Sequence, residues 1–213
     1  MDLSEVLARR RMTRSFRGES VDHDLLDALC AEALRAPTAG NCAGVRMSTV
    51  SRDLVGQYFD VATDLEWRAT SRRYAGLARA GALVLVTSRP QDYFARYAQL
   101  DKASSGLAQR DNWSIPYWHT DAAMATMALL LLLEEQGLAA TLWGNFRHDA
   151  DVLRWAAIDD EELFATVLIG VADGEDYPSR SLQQPVPARS QRVRRVAGDV
   201  PRRGDVDVNL GEG

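Results

Sequence analysis

Arginine is the residue type best placed to do chemistry in this chain. Arg9, Arg10, Arg11 and Arg14 crowd the N-terminal region, and Arg189, Arg192, Arg194 and Arg195 form a second cluster near the other end. The chain as a whole is acidic, with a net charge of −5. That balance argues against a nucleic-acid or anionic-membrane partner, which would demand an excess of Lys and Arg. Two local cationic clusters are either solvated basic segments or the two halves of a site for one small anion; guanidinium forks match phosphate oxygens bidentately. A second grouping is aromatic. Tyr93, Phe94, Tyr97, Trp113, Tyr117 and Trp118 fall within one irregular stretch. They read as a helix and loop packed on the body, as the wall of a pocket for a flat conjugated ligand, or as both. Tyr97, Trp113, Tyr117 and Trp118 are the candidate substrate contacts.

Protein-borne catalysts are harder to find. There is no Gly-x-Ser-x-Gly elbow, no His-Glu-x-x-His, no P-loop and no Gly-x-Gly-x-x-Gly after the first strand. Cys30 and Cys42 stand outside any metal-ligand spacing and read as two reduced, partly buried thiols; Cys42 has no histidine at a readable spacing. His119 borders the aromatic stretch and is either a proton donor or a structural histidine. With three histidines in all, no metal site is expected. Clustered arginine and aromatic residues, without a nucleophile or metal set, point to chemistry carried by an organic cofactor.

The elements that must position these residues follow from periodicity. The 213 residues, 46% hydrophobic and 26% charged, suit one compact domain or one large protomer of an oligomer. Leu3 to Arg11 predicts a short amphipathic helix. Asp22 predicts an N-cap, with Leu25, Leu26, Leu29, Ala33 and Leu34 following at helical spacing until Pro37 stops the helix near Ala36. Thr38 to Gly44 predicts a turn and Val45 to Val50 a strand. Asp53 to Ala78 reads as mostly helical. Ala82 to Thr87 is a continuous apolar run, the pattern of a strand buried on both faces. Thr120 to Gln136 is a helix apolar nearly all round, closed by Gly137, and is expected to be the buried central helix. Ala139 to Trp143 is a strand, Asp149 to Ala157 a helix, and Leu163 to Val171 another strand. From Gly174 onward the Pro-, Ser- and Arg-rich chain predicts an extended arm, with a flexible tail at 199–213. The expected fold is α+β, a central mixed sheet of about four to five strands surrounded by helices. The central helix needs more cover than one protomer supplies, which favours a dimer. Charged Asp2 and Glu5 stand where export would need an apolar stretch, so a cytoplasmic protein is expected. The run Ala122 to Leu133 is too short to span a bilayer.

Four segments, taken in order, carry a resemblance. Arg10-Arg11-Met12-Thr13-Arg14-Ser15-Phe16 resembles the Arg-Arg-Ser-x-Arg-x-Phe signature near the start of nitroreductase-family proteins. Ala36-Pro37-Thr38-Ala39-Gly40-Asn41 resembles that family's Ala-Pro-Ser-x-x-Asn turn. Gly137-Leu138-Ala139-Ala140-Thr141-Leu142-Trp143-Gly144-Asn145-Phe146 is similar to its Gly-Leu-Gly-x-x-x-x-x-Gly-Phe segment. Leu168-Ile169-Gly170 and the basic arm are similar to its closing strand and phosphate-binding residue. The resemblance implies a nitroreductase-like FMN-binding domain over 1–198, a homodimer with the flavin at the subunit interface, and NAD(P)H as electron donor. It assigns Arg10, Arg11, Met12, Arg14 and Arg189 to the FMN phosphate. It assigns Pro37, Thr38, Ala39 and Asn41 to a turn that reaches the partner's flavin, and Leu142, Trp143, Gly144 and Asn145 to the flavin ring. The Gly144 backbone amide would face the reactive central-ring nitrogen, the single catalytic contact.

The chain also departs from the pattern. Met12 stands where the family has Ser, and Ala43-Gly44-Val45 replaces the common Gln-Pro-Trp. The Tyr93 to Trp118 segment resembles an actinobacterial branch of the family. Three functions remain open on the sequence. The first is an FMN-dependent reductase passing hydride from NAD(P)H to a nitroaromatic, quinone or related conjugated acceptor. The second is a flavin-dependent oxidase or dehydrogenase of a biosynthetic pathway. The third is a family member that binds flavin or another ligand without turnover.

Overall fold

The computed structural model describes residues 2–145, 147–177 and 184–195. Two compact units divide between Tyr177 and Pro178. In the second, a short 3-10 turn at Arg189–Arg192 is the regular structure among the described residues; the expected tail at 199–213 lies outside them, and residues 178–198 of the expected domain fall to this second unit.

The first unit is an α/β/α sandwich around four strands, β1 (Val45–Ser51), β2 (Ala82–Ser88), β3 (Ala139–Trp143) and β4 (Glu162–Gly170), in the order β1-β2-β4-β3. Every neighbouring pair is antiparallel. The sheet is therefore not the mixed one expected; its one parallel element is the single bridge between Met12 and Ala140 on the outer edge of β3. The reason is connectivity. β2 neighbours β4, which comes after β3 in sequence, and strand composition alone does not encode that pairing. All seven residues of β2 are buried, as its continuous apolar run requires. A bulge at Val86/Thr87 skips Phe164 on β4, so the face each β4 residue presents changes along the strand.

Among the described residues eight helices surround the sheet: α1 (Leu3–Arg9), α2 (His23–Ala33), α3 (Val55–Ala62), α4 (Leu65–Thr70), α5 (Tyr74–Leu77), α6 (Pro90–Tyr97), α7 (Tyr117–Glu135) and α8 (Asp149–Trp155). Asp22 caps α2 as expected, accepting from the Leu25 amide at 2.8 Å. The stretch 53–78 is not one helix: Thr63 is extended and its hydroxyl turns back to the Phe59 carbonyl at 2.6 Å, separating α3 from α4. Gly137, at φ +73°, ends α7, with the Leu138 amide reaching back to the Leu133 carbonyl at 2.9 Å.

Helices α2 and α7 pack Leu26, Leu29, Leu129 and Leu133 against Val84, Val86, Val167 and Ile169 on one face of the sheet. On the other, α3 and α8 pack Tyr58, Phe59 and Val152 against Leu83, Leu85 and Leu168. Each such aliphatic burial contributes about 1.5–3 kcal/mol. Helix α7 is covered on one side only: Leu129 and Leu133 are fully buried, whereas Met124 and Met127 remain about 40% exposed. Within one protomer the central helix is buried along the face toward the sheet and α2, and Met124 and Met127 lie on the face left open.

Candidate functional site

Edge strand β3 ends beside a cleft of about 790 Å³ between the α3–α4 junction and the start of α8. Leu142, Trp143, Gly144 and Asn145 line it from the strand end; Thr63, Asp64, Trp67 and Thr70 line it from the opposite side. Its aromatic walls are Trp67 and Trp143, whose rings meet edge to face at 5.3 Å. The Trp143 indole N–H is buried without a partner among the described residues, a donor of the kind a bound polar ligand satisfies.

The outer edge of β3 is closed by the N-terminal segment. The Thr13 amide donates to the Ala140 carbonyl at 2.9 Å, and the Met12 sulfur lies 3.4 Å from the Leu142 amide. Met12, where a serine hydroxyl would serve a phosphate, is therefore spent on the strand. Arg10 is half-buried, with one guanidinium nitrogen buried and unpartnered among the described residues. Arg11 is turned back onto the end of α1, donating to the Ala8, Arg9 and Arg10 carbonyls at 2.6–3.1 Å.

Arg14 lies in a separate hollow of about 430 Å³ with Arg72, Arg73 and Arg79. Its backbone amide donates to Asp176 at 3.0 Å and its guanidinium to the Met12 carbonyl at 3.0 Å. Arg79 is paired with Asp173, whose carboxyl is held below the usual range by the hydrogen bond from the Glu175 amide, then by that from Ser15 and by the Arg79 charge. The hollow depends on Gly76: a Cβ there would meet the Ser15 hydroxyl at 2.6 Å and the Arg14 carbonyl at 2.7 Å. Arg189 belongs to the second unit, at the start of its 3-10 turn.

The turn carrying Pro37, Thr38, Ala39 and Asn41 does not line the cleft. It bends through left-handed Gly40 (φ +65°) and Asn41 (φ +56°). The Ala39 amide donates to Asp121 at 2.8 Å, the Tyr93 hydroxyl donates to the same oxygen at 2.8 Å, and Arg96 donates to the Gly40 carbonyl at 2.9 Å. The four candidate substrate aromatics do not line this cleft within the protomer. Tyr97 packs on Trp113 at 4.8 Å, Trp113 on Tyr117 at 5.6 Å, and Trp118 is buried, donating to Glu162 at 3.0 Å. They brace the 38–42 turn, whose Gly40 has no room for a Cβ beside Tyr97.

His119 is engaged with Glu162 at 2.9 Å rather than free to serve a substrate. The thiols are inert in the same sense. Burial, then the Asp121 charge, pushes Cys42 up to about 11; burial, then Asp27, pushes Cys30 up to about 12. Among the described residues no group of side chains is arranged to hold a metal ion, and no helix is long and apolar enough to cross a membrane.

The sequence profile of the nitroreductase family matches residues 7–171. The chain belongs to the nitroreductase family. No curated protein matches its sequence. Three family-like structures share its fold. A nitroreductase-like family protein from Bacillus cereus is 16% identical, covers 93% of this chain and 97% of its own, and superposes with a TM-score of 0.64. An FMN complex from Desulfovibrio desulfuricans is 16% identical over 94% of this chain and 99% of that one, TM-score 0.63. A structure from Staphylococcus epidermidis, assigned as an NAD(P)H:FMN oxidoreductase, is 18% identical over 92% and 96%, TM-score 0.65. At these identities the likeness is one of fold.

For a nitroreductase-family flavin, the residues present fit in chemistry: an apolar aromatic slot at Leu142–Trp143, a backbone amide at Gly144 and unpartnered buried donors on Arg10 and Trp143. Sequence reasoning missed Trp67, which lies within an ordinary helical pattern, and Arg72 and Arg73, whose adjacency was the one available signal.

Proposed function

We propose that this chain is an FMN-dependent oxidoreductase, a cytoplasmic homodimer that accepts hydride from NAD(P)H and passes it to a nitroaromatic, quinone or related conjugated acceptor. The observation that carries this reading is the cleft at the end of β3, where Leu142–Asn145 face Trp67 across a space of about 790 Å³. Bound FMN would supply reversible hydride chemistry there. Arg10, with Arg14, Arg72 and Arg73 of the second hollow, would hold its phosphate by charge-assisted hydrogen bonds. Leu142 and the Trp143 ring would exclude water from one side. The Gly144 amide, aimed at the reactive nitrogen, would stabilise the electron-rich reduced form as an oxyanion donor does. No acid or base is required from the chain, consistent with the engagement of His119 and the burial of both thiols.

The homodimer rests on α7 and its neighbours. Met124 and Met127, with Leu3 (63% exposed) and Leu7 (49%), leave an apolar face that a second copy would cover. In such a dimer the Pro37–Asn41 turn of the second copy would reach the cleft that it does not reach within its own protomer. Titration with FMN, followed by sedimentation, tests both halves: stoichiometric uptake by a dimer is expected, and a monomer that takes up no FMN would overturn the reading. Gly144→Val should keep the fold and lose on the order of a hundredfold in turnover, the scale of a misplaced reacting centre; normal turnover would sink the Gly144 assignment.

A further inference from the structure

The amide of Gly144 lies past the last ladder pair of β3, Trp143 with Thr166, so the strand itself does not set its direction. Asn145 supplies what the ladder no longer does. Its side chain is 8% exposed and turned into the core. Its amide nitrogen donates to the Tyr58 hydroxyl at 3.1 Å, and its amide oxygen accepts from the Thr166 hydroxyl at 3.0 Å. Its backbone carbonyl accepts from the His148 amide at 3.0 Å, at the entry to α8. The residue after Gly144 is thus tied to the core by its side chain and to the next helix by its main chain.

We infer that Tyr58 and Thr166 are positioning residues, which act through the Asn145 side chain to aim the Gly144 amide at the flavin. The inference rests on the FMN reading of this cleft and adds to it the device that sets the amide's direction. Both residues are fully buried, one on α3 and one on β4, so the three groups have no water to fall back on. Burial pushes the Tyr58 phenol up to about 12, against the pull of its hydrogen bonds with Thr166 and Asn145. The phenol therefore stays neutral across the working range, and the three neutral groups are joined by two buried hydrogen bonds that converge on the Asn145 amide. A buried set of this kind holds geometry because any rotation of Asn145 would leave donors and acceptors unpaired. Trp143, the residue before Gly144, is held separately by the ladder and by its contacts with Phe59 and Trp67. Gly144 is the one link between these two fixed points.

The test is the midpoint potential of bound FMN in Tyr58→Phe and Thr166→Val, two near-isosteric changes, with Thr166→Ser as the conservative control and FMN affinity measured alongside. Loosening the amide should weaken the preference for reduced flavin about tenfold, a shift of ~30 mV to more negative potential for a two-electron couple, with affinity for oxidised FMN changed less than twofold. Thr166→Ser, which restores the hydroxyl, should restore the potential. An unchanged potential in both variants, with lowered unfolding midpoints only, would overturn the inference and reduce the network to a core support. A wild-type protein that binds no FMN would overturn the parent reading along with it, whereas wild-type FMN reduction with variant potentials unmoved would overturn this inference alone.

Discussion

The two turns proposed to meet the flavin are anchored by different physics. Trp143-Gly144-Asn145 is held by neutral groups, Asn145, Tyr58 and Thr166, each paired with another inside the core. Ala39-Gly40-Asn41 is held by charge. Asp121, 1% exposed, accepts from the Ala39 amide and from the Tyr93 hydroxyl on a single oxygen; its other oxygen is buried and unpartnered among the described residues. Bonds to an ionised acceptor are roughly twice as strong as neutral ones, but removal of the acceptor strands its donors in the dry interior. The neutral anchor yields a few tenths to a couple of kcal/mol at a time, whereas the charged one fails all at once. Arg96, donating to the Gly40 carbonyl, and the Tyr97 ring packed on Gly40 support this turn further, but the Asp121 carboxylate gathers two of its bonds on one oxygen.

The largest effect expected from this contrast is at Asp121. Asp121→Ala should lower unfolding free energy by about 3–5 kcal/mol, two charge-assisted bonds together, read as the shift of a urea midpoint. Asp121→Asn, which keeps an acceptor, should lose less than about 2 kcal/mol; equal losses would show that the carboxylate charge is not what fastens the turn. On the neutral side, Tyr58→Phe should lower stability by about 1–2 kcal/mol, the scale of one buried donor left unpaired. A loss as large as that of Asp121→Ala would erase the distinction between the two anchors. Arg14→Ala should weaken FMN binding by about 1.5–3 kcal/mol while barely moving stability; unchanged affinity would remove Arg14 from the phosphate site.

The smallest effect is alkaline. A group held neutral in the fold and free to ionise in the unfolded chain contributes stability that is fully present below its unfolded value and lost as pH rises through its folded one. For Cys42 beside the charged anchor that window runs from about 9 to about 11, and for Tyr58 in the neutral one from about 10 to about 12. Stability should therefore fall from about pH 9 upward. Cys30, pushed up from 9 to about 12, adds to the same fall, so Cys42→Ala should make it shallower without moving its onset, and a flat profile in the wild type would contradict the burial of these groups.

The parts of this architecture legible in the sequence are those with a local signature. The apolar run of β2, the Asp22 cap, the Gly137 stop and the long α7 are all written in consecutive residues. What was hidden depends on residues far apart in the chain. The antiparallel β2–β4 pairing, the bulge at Phe164 and the break of 53–78 at Thr63 follow from how strands and helices meet, which periodicity does not record. At the site, Leu142–Asn145 share one cleft because they are neighbours along β3. The arginines divide instead: Arg11 folds back onto α1, Arg14 joins Arg72 and Arg73, and Arg189 lies in the second unit. The aromatic stretch 93–118 left two readings open because a ring that braces a turn and a ring that lines a pocket have the same composition; the packing seen within the protomer is the bracing. Tyr58, Thr166 and Asp121 gave no signal, since a buried hydroxyl or carboxylate is recognisable only by its partner.

The most direct test of the central claim is an anaerobic absorbance titration of the FMN-loaded protein with NADPH and then NADH. The account predicts visible flavin bands that bleach with at least one nucleotide and return on adding a quinone or nitroaromatic. Bands that persist with both nucleotides, or a protein that stays colourless after incubation with FMN, would contradict it.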